Sequence, residues 1–170
     1  MALIKTVLDK TPKFGANVYL AENATIIGDV ELGNNCSVWF QAVVRGDVNV
    51  IRIGDQVNIQ DGAIIHGTYQ FAATNIGNRV SIGHRAIVHG CTVDDDVLIG
   101  MGAIIMDQAR LHSNSIIAAG SVVLEKQVIE ANSVYAGVPA KKVKTIDSSH
   151  LEQIRRIATN YEMYAGWYAC

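Results

Sequence analysis

Aliphatic residues recur every six positions along most of this chain: Leu20, Ile26, Leu32, Val38 and Val44, then Ile53, Ile59 and Ile65, then Ile76, Ile82 and Val88, then Val93, Ile99, Ile105, Leu111, Ile117, Val123 and Ile129. Four residues after most of them stands a small or β-branched residue, as at Ala24, Val30, Cys36, Ala42, Val57, Ala63, Ala86, Ala103 and Ser121. A period of six fits neither the turn of an α-helix nor the two-residue alternation of a flat strand. It suits a chain that turns a corner after each short strand, with three sides to a coil, the aliphatic residue inward and the small residue at the corner. Coils stacked in this way bury a continuous core and pair their backbone groups with the coils above and below.

The pattern resembles the hexapeptide repeat of the left-handed parallel β-helix. The predicted class is therefore mainly β: a left-handed parallel β-helix of hexapeptide repeats with a C-terminal α-helix packed alongside. The register breaks in three places, where loops are expected to leave the column. There are three extra residues between Val44 and Ile53, five extra between Ile65 and Ile76, and one too few between Val88 and Val93. Proline and glycine in Tyr135–Ala140 are expected to end the repeat. A helix should follow, with Ser149-His150-Leu151-Glu152 as a capping box and Leu151, Ile154, Ile157, Tyr161, Tyr164 and Tyr168 as one apolar stripe. That stripe should lie on the outside of the β-helix of its own or a neighbouring subunit. One structural domain is expected, with the β-helix over residues 1–146 and the helix over 147–170.

Composition narrows the function. With 170 residues, 49% hydrophobic, the chain is long enough for a substantial core. A formal net charge of -2 leaves no basic surface for phosphates, so nucleic acid is excluded as an expected partner. No long apolar run or signal-like N-terminus is present, and a soluble, cytoplasmic protein with no membrane partner is expected. Cys36, Cys91 and Cys170 are few, scattered and without a Cys-x-x-Cys pair, which suits reduced structural thiols rather than a disulfide or zinc framework.

Counting hexads through the breaks puts the segments that start at Val44, Ile65 and Val88 on one side in successive coils. Arg45, His66 and His89 then form one outward column, about 4.7–4.9 Å apart per coil. Two imidazoles at that spacing can reach one metal. His84 falls on the preceding side and cannot easily join them within its own chain. Packing three prisms around a closed three-fold axis would bring it to the His66/His89 pair of a neighbour, giving a homotrimer with a composite site at each interface. Three neutral imidazoles with an open fourth position are the ligand set of a catalytic zinc site, in which bound water ionises near pH 7. Iron or cobalt would also accept these ligands. A lone outward histidine on a solenoid is a solvated surface residue, and His112 and His150 read that way. His66 and His84-x-x-x-x-His89 together point to Zn2+, with Fe2+ or Co2+ as alternatives.

Across essentially the whole chain the sequence is similar to the gamma-class carbonic anhydrase family. The matching pieces are Arg45-Gly46-Asp47, Asn58-Ile59-Gln60-Asp61-Gly62, His66, Ile82-Gly83-His84, Val88-His89-Gly90-Cys91-Thr92 and Ile99-Gly100-Met101-Gly102-Ala103. The resemblance implies metal-dependent reversible hydration of carbon dioxide to bicarbonate, with His66, His84 and His89 as ligands. It implies that Gln60 orients the nucleophile and that Arg45, Asp47 and Asp61 take part in ion pairing across the interface. It implies too that Tyr161 closes the pocket; core packing of the helix explains Tyr161 equally well. The best-studied branch of the family has an acidic loop after the first ligand, with a glutamate that carries protons to solvent. The matching stretch here, Gly67–Asn75, has no carboxylate, so slow turnover or another proton route is expected. An acyl-CoA thioesterase or CoA-linked acyltransferase on the same scaffold, and a non-catalytic metal-binding assembly subunit, are the competing functions.

Overall fold

The computed structural model describes residues 1–168, in which short parallel strands stack on three faces and the helix Ser148–Gly166 lies alongside. Cys170 lies outside the described residues. On the first face Ile26, Val44, Ile65, Val88, Ile105 and Val123 sit in register, one per coil. The second face stacks Leu32, Ile53, Ile76, Val93, Leu111 and Ile129. The third stacks Leu20, Val38, Ile59, Ile82, Ile99 and Ile117. Nearly all of these residues are buried, and each such aliphatic side chain contributes about 1.5–3 kcal/mol by leaving water.

The corners explain the small and polar residues between the aliphatic ones. Between the second and third faces, Asn35, Gln56, Arg79, Asp96, Asn114 and Asn132 all take positive φ, the left-handed conformation that Asn and Asp accept most readily after glycine. Side-chain oxygens run up the same corner. Asn34 N donates to Asp55 Oδ1 at 2.7 Å, Asp55 N to Asn78 Oδ1 at 2.8 Å, and Asn78 N to Asp95 Oδ1 at 2.8 Å.

All three register breaks fall at one corner, between the first and second faces. The strand Val43–Ile53 runs around it without interruption. The loop after His66 is pinned by a bridge between Thr68 and Ala72. The shortened corner turns at Gly90, whose φ is +54°. The coils that carry His66 and His89 are therefore irregular at this corner, as is the Val43–Ile53 coil before them.

The column runs past both ends of the six-residue aliphatic series, and at the C-terminal end past where the repeat was expected to stop. At the N-terminus Leu3–Lys5 and Lys13–Phe14 pair with Thr25–Leu32, so the stack begins before Leu20. At the other end Tyr135 continues the third face, in register with Ile117 and only 6% exposed, so the repeat does not stop at Ile129. Its ring fills the end of the column where an aliphatic residue stood in earlier coils. The chain then reverses through a cis Val138–Pro139 bond into the strand Lys141–Thr145, which runs antiparallel along Ser133–Ala136.

The helix start also needs correction. Its N-cap is Asp147, not Ser149, and the box is closed by His150 three residues on rather than by Glu152. A carboxylate and an imidazole here satisfy the backbone donors that a Ser/Glu pair was expected to satisfy. The expected stripe faces the third face of its own chain, with Ile154 and Ala158 buried against it. Arg155 Nε lies 3.5 Å from Asp96 Oδ1, and Asp96 is held by two Arg79 donors at 2.8 Å. No helix among the described residues is long and apolar enough to cross a membrane.

Candidate metal centre

His66 ends the strand Ile64–His66 and His89 ends Ile87–His89, paired in register on the first face. The parallel ladder fixes their backbones one above the other, and both side chains turn toward the irregular corner. His66 Nδ1 stands 3.1 Å from His89 Nε2. Each outer nitrogen meets a carboxylate: His66 Nε2 lies 3.0 Å from Asp47 Oδ1, and His89 Nδ1 lies 2.5 Å from Asp107 Oδ1. Each carboxylate is anchored in turn. Arg45 Nη1 donates to Asp47 Oδ2 at 2.6 Å, and Thr68 Oγ1 donates to Asp107 Oδ2 at 2.6 Å.

Burial pushes both carboxyls upward, but their hydrogen bonds outweigh it and hold Asp47 and Asp107 below the usual carboxylate range. Burial pushes His66 below the ordinary histidine value. An imidazole kept neutral by burial carries one N–H, and a carboxylate is the partner to receive it. With the N–H of each ring turned to its carboxylate, the two facing nitrogens, 3.1 Å apart, would both present lone pairs. Such a pair repels unless a cation sits against it. In a tetrahedral zinc site with Zn–N of about 2.0–2.1 Å, ligand nitrogens lie about 3.3–3.4 Å apart, so the observed pair is close to one edge of that tetrahedron.

Gly90 makes the arrangement possible. A Cβ there would collide with Asp107 Oδ1, so only glycine lets this carboxylate reach His89. Asp107 and Thr68 were not found by sequence reasoning. The available signal was position: Asp107 follows inward Ile105 by two residues, as Gly90 follows Val88, one coil apart.

His84 sits at the opposite edge of the first face, after the strand Ser81–Ile82. It too has a carboxylate behind it, with Nδ1 2.8 Å from Asp61 Oδ2, while Nε2 stands 3.5 Å from the Tyr161 hydroxyl. The chain does not bring it to the other two: among the described residues no group of three or more His, Cys, Asp or Glu is placed to hold a metal. Carboxylate pairing alone singles out none of these histidines, because His112 pairs with Asp94 and His150 with Asp147 in the same way. What distinguishes His66 and His89 is the pair of nitrogens that face each other.

The remaining expected site residues are placed as follows. Gln60 is 6% exposed on the third face, and its Nε2 donates to Asn58 Oδ1 at 3.0 Å, while Asn58 donates to Ser81 Oγ at 2.8 Å. That leaves the amide oxygen of Gln60 without a hydrogen bond among the described residues. Arg45, Asp47 and Asp61 each have a partner within the chain. Tyr161 is held by the helix, its ring edge-on to Trp39 at 5.3 Å, and burial pushes its hydroxyl up to about 12. Cys36 and Cys91 are buried and in no disulfide among the described residues, and burial pushes their thiols up to about 11 and about 12.

The family described as bacterial transferase hexapeptide (six repeats) matches residues 11–46 and 90–125. The chain is 37% identical to gamma carbonic anhydrase 2, mitochondrial, of Arabidopsis thaliana over 93% of its own length and 59% of that protein. It thus spans about six tenths of this Arabidopsis relative. It is 38% identical to a carbonic anhydrase of Geobacillus kaustophilus over 89% of its own length and 83% of that protein. Among solved structures, a hexapeptide transferase family protein from Anaplasma phagocytophilum superposes with a TM-score of 0.93 at 34% identity, covering 98% of each chain.

Proposed function

Because this chain belongs to the gamma-class carbonic anhydrase family, we propose that it catalyses the reversible, metal-dependent hydration of carbon dioxide to bicarbonate. The observation that carries the reading is the facing pair of His66 Nδ1 and His89 Nε2, each backed by a carboxylate. A bound divalent metal, zinc before iron or cobalt, would supply the Lewis acidity that activates water for attack on the carbon. His66 and His89 would hold it from one subunit, and His84 Nε2 from the next. Asp47, Asp107 and Asp61 fix the ring orientations and keep each ligating nitrogen deprotonated. The free amide oxygen of Gln60 would accept a hydrogen bond from the attacking water and aim it. Tyr161 stays a neutral hydroxyl near pH 7, 3.5 Å from His84 Nε2, where it would border the site.

A trimer is part of the proposal, and the first face supports it. Its outward residues Val43, Ile64, Ile87, Ile104 and Val122 are all aliphatic, and Ile64 is 41% exposed. Met101, Met106 and Leu124 add exposed apolar surface around it. An uncovered aliphatic sheet face marks a contact surface. Turning three such faces toward one axis would bring the His84 edge of one copy to the His66/His89 edge of the next. Arg45, 41% exposed beyond its bond to Asp47, has donors left for ion pairing across that interface.

Stopped-flow carbon dioxide hydration by the zinc-loaded and the anaerobically iron-loaded protein is the test. Turnover should be abolished in His89→Ala and should rise with external buffer concentration, since the loop Gly67–Ala73 offers no carboxylate to carry protons. Full activity in His89→Ala would reject the assignment. Coenzyme A release from acyl-CoA, with no carbon dioxide hydration, would move the reading to a thioesterase on the same scaffold.

A further inference from the structure

Beside Asp61 the helix and the third face border a cavity of about 280 Å³, and apart from Asp61 and Tyr161 its lining has no part in the reaction above. Its wall is almost wholly aromatic: Trp39 and Phe40 from the β-helix, Tyr161, Tyr164, Trp167 and Tyr168 from the helix end. The rings are linked in sequence around it. Trp39 lies 5.3 Å from Tyr161, Tyr161 5.4 Å from Tyr164, and Tyr164 4.8 Å from Trp167. On the other side Tyr168 lies 5.9 Å from Phe40 and 5.6 Å from Trp39.

Mutual packing does not account for the whole cluster. Trp167 is 66% exposed and Tyr168 51%, an unusual placement for two large rings at the end of one helix. Among the described residues Asp61 is the only charged one in the lining. Glu22 adds a second negative charge nearby: Tyr19, stacked on Trp39 and Tyr168, has its hydroxyl pushed up by burial and then by Glu22 and Asp61. No lysine or arginine lines the cavity.

Aromatic faces carry negative potential and attract cations, most strongly when the cation is desolvated. A wall of such rings beside one carboxylate suits a positive charge spread over apolar groups. It is not complementary to an anion, and Asp61, although its Oδ2 is held by His84 Nδ1 at 2.8 Å, keeps negative charge at the edge of the box. We infer that this box binds a small quaternary ammonium solute, its alkylated nitrogen against the rings and its charge balanced by Asp61. The cavity lies at the small end of the range for ligand sites, which suits a free solute rather than a segment of another protein. The site stands whether or not a metal is held at His84, although Asp61 borders both.

The two tryptophans of the sequence, Trp39 and Trp167, both line the cavity, so intrinsic fluorescence reports on it alone. The full-length protein would be titrated with choline at constant ionic strength, and in parallel with 3,3-dimethyl-1-butanol, the neutral carbon isostere of the same shape. Choline should give a saturable change with a dissociation constant smaller than that of the isostere by on the order of tenfold. Trp167→Phe should keep this preference, and Trp167→Leu should lose most of it at unchanged melting temperature, since the exposed indole adds little to folding. Equal binding of the two ligands, equal preference in the Leu and Phe variants, or no saturable change with choline would each overturn the inference.

Discussion

The first and second faces of the β-helix are built on the same inward residues and differ in what they show to the outside. Inward, both stack fully or nearly fully buried Ile, Val and Leu at the same spacing. Outward, the first shows Val43, Ile64, Ile87, Ile104 and Val122 after a single Thr25, whereas the second shows Glu31, Arg52, Asn75, Thr92 and Arg110 before a single exposed Val128. The charges on the second face neutralise one another: Arg52 reaches Asp29 at 2.7 Å and Glu31 at 3.4 Å, and Arg110 reaches Asp94 at 3.6 Å. One face is thus complete in a single chain, and the other has apolar surface with nothing on it and a histidine at each edge. The inward column specifies the fold, and the outward column specifies what the fold meets.

The largest expected effect comes from making the first face resemble the second. Ile87→Asp puts a carboxylate in the middle of the aliphatic column and, in a trimer, buries it without a partner at three places. Trimers should be lost at all practical concentrations by sedimentation or light scattering. The matched change Thr92→Asp on the charged face should leave the mass unchanged. Trimers that survive Ile87→Asp would show that this face is not the interface.

Next in size is removal of a nitrogen proposed to bind the metal. His66→Ala should reduce bound zinc, measured by elemental analysis after gel filtration, to background. His112→Ala, at a histidine that also has a carboxylate partner but no facing nitrogen, should leave zinc content unchanged. Asp107→Asn removes only the carboxylate behind His89 and should weaken zinc binding about 10–100-fold, as loss of such an orienting partner does. Its counterpart beneath His112, Asp94→Asn, should have no effect on metal affinity.

These contrasts also show what was legible in the sequence. The column and the stacking of His66 on His89 follow from counting aliphatic residues, because a solenoid converts sequence interval directly into height. The register breaks could be located for the same reason. Counting says nothing about which way a side chain leans at a corner, so Asp107 was not read as a partner of His89. It took the coordinates of Gly90 to show the space left for it. Tyr135 was read as the end of the repeat because the aromatic residue hides the six-residue interval that backbone pairing with Ile117 makes plain. At the helix start Asp147 and Ser149 are both acceptable caps by residue type, and only the backbone angles choose between them.

The smallest effect is expected at the far corner of the charged face, where Asp96 joins the solenoid to the helix. Asp96 is buried, in left-handed backbone, with two Arg79 donors on one side and Arg155 on the other. The Arg79 hydrogen bonds hold its carboxyl below the ordinary value, against burial, which pushes it up. A carboxyl whose pKa is lower folded than unfolded stabilises the fold fully above the unfolded value, near 3.9, and that stability is lost as pH falls through the folded one. The acid melting profile of the native chain should therefore fall more steeply below about pH 4 than that of Asp96→Asn. At pH 7 the Asn variant should be less stable by about 1 kcal/mol, because partial exposure of Arg79 screens the pair. The helix, tied at this corner, should exchange its amide hydrogens faster in the variant, while the aliphatic face, which supplies none of the ion-pair partners of Asp96, should keep its protection.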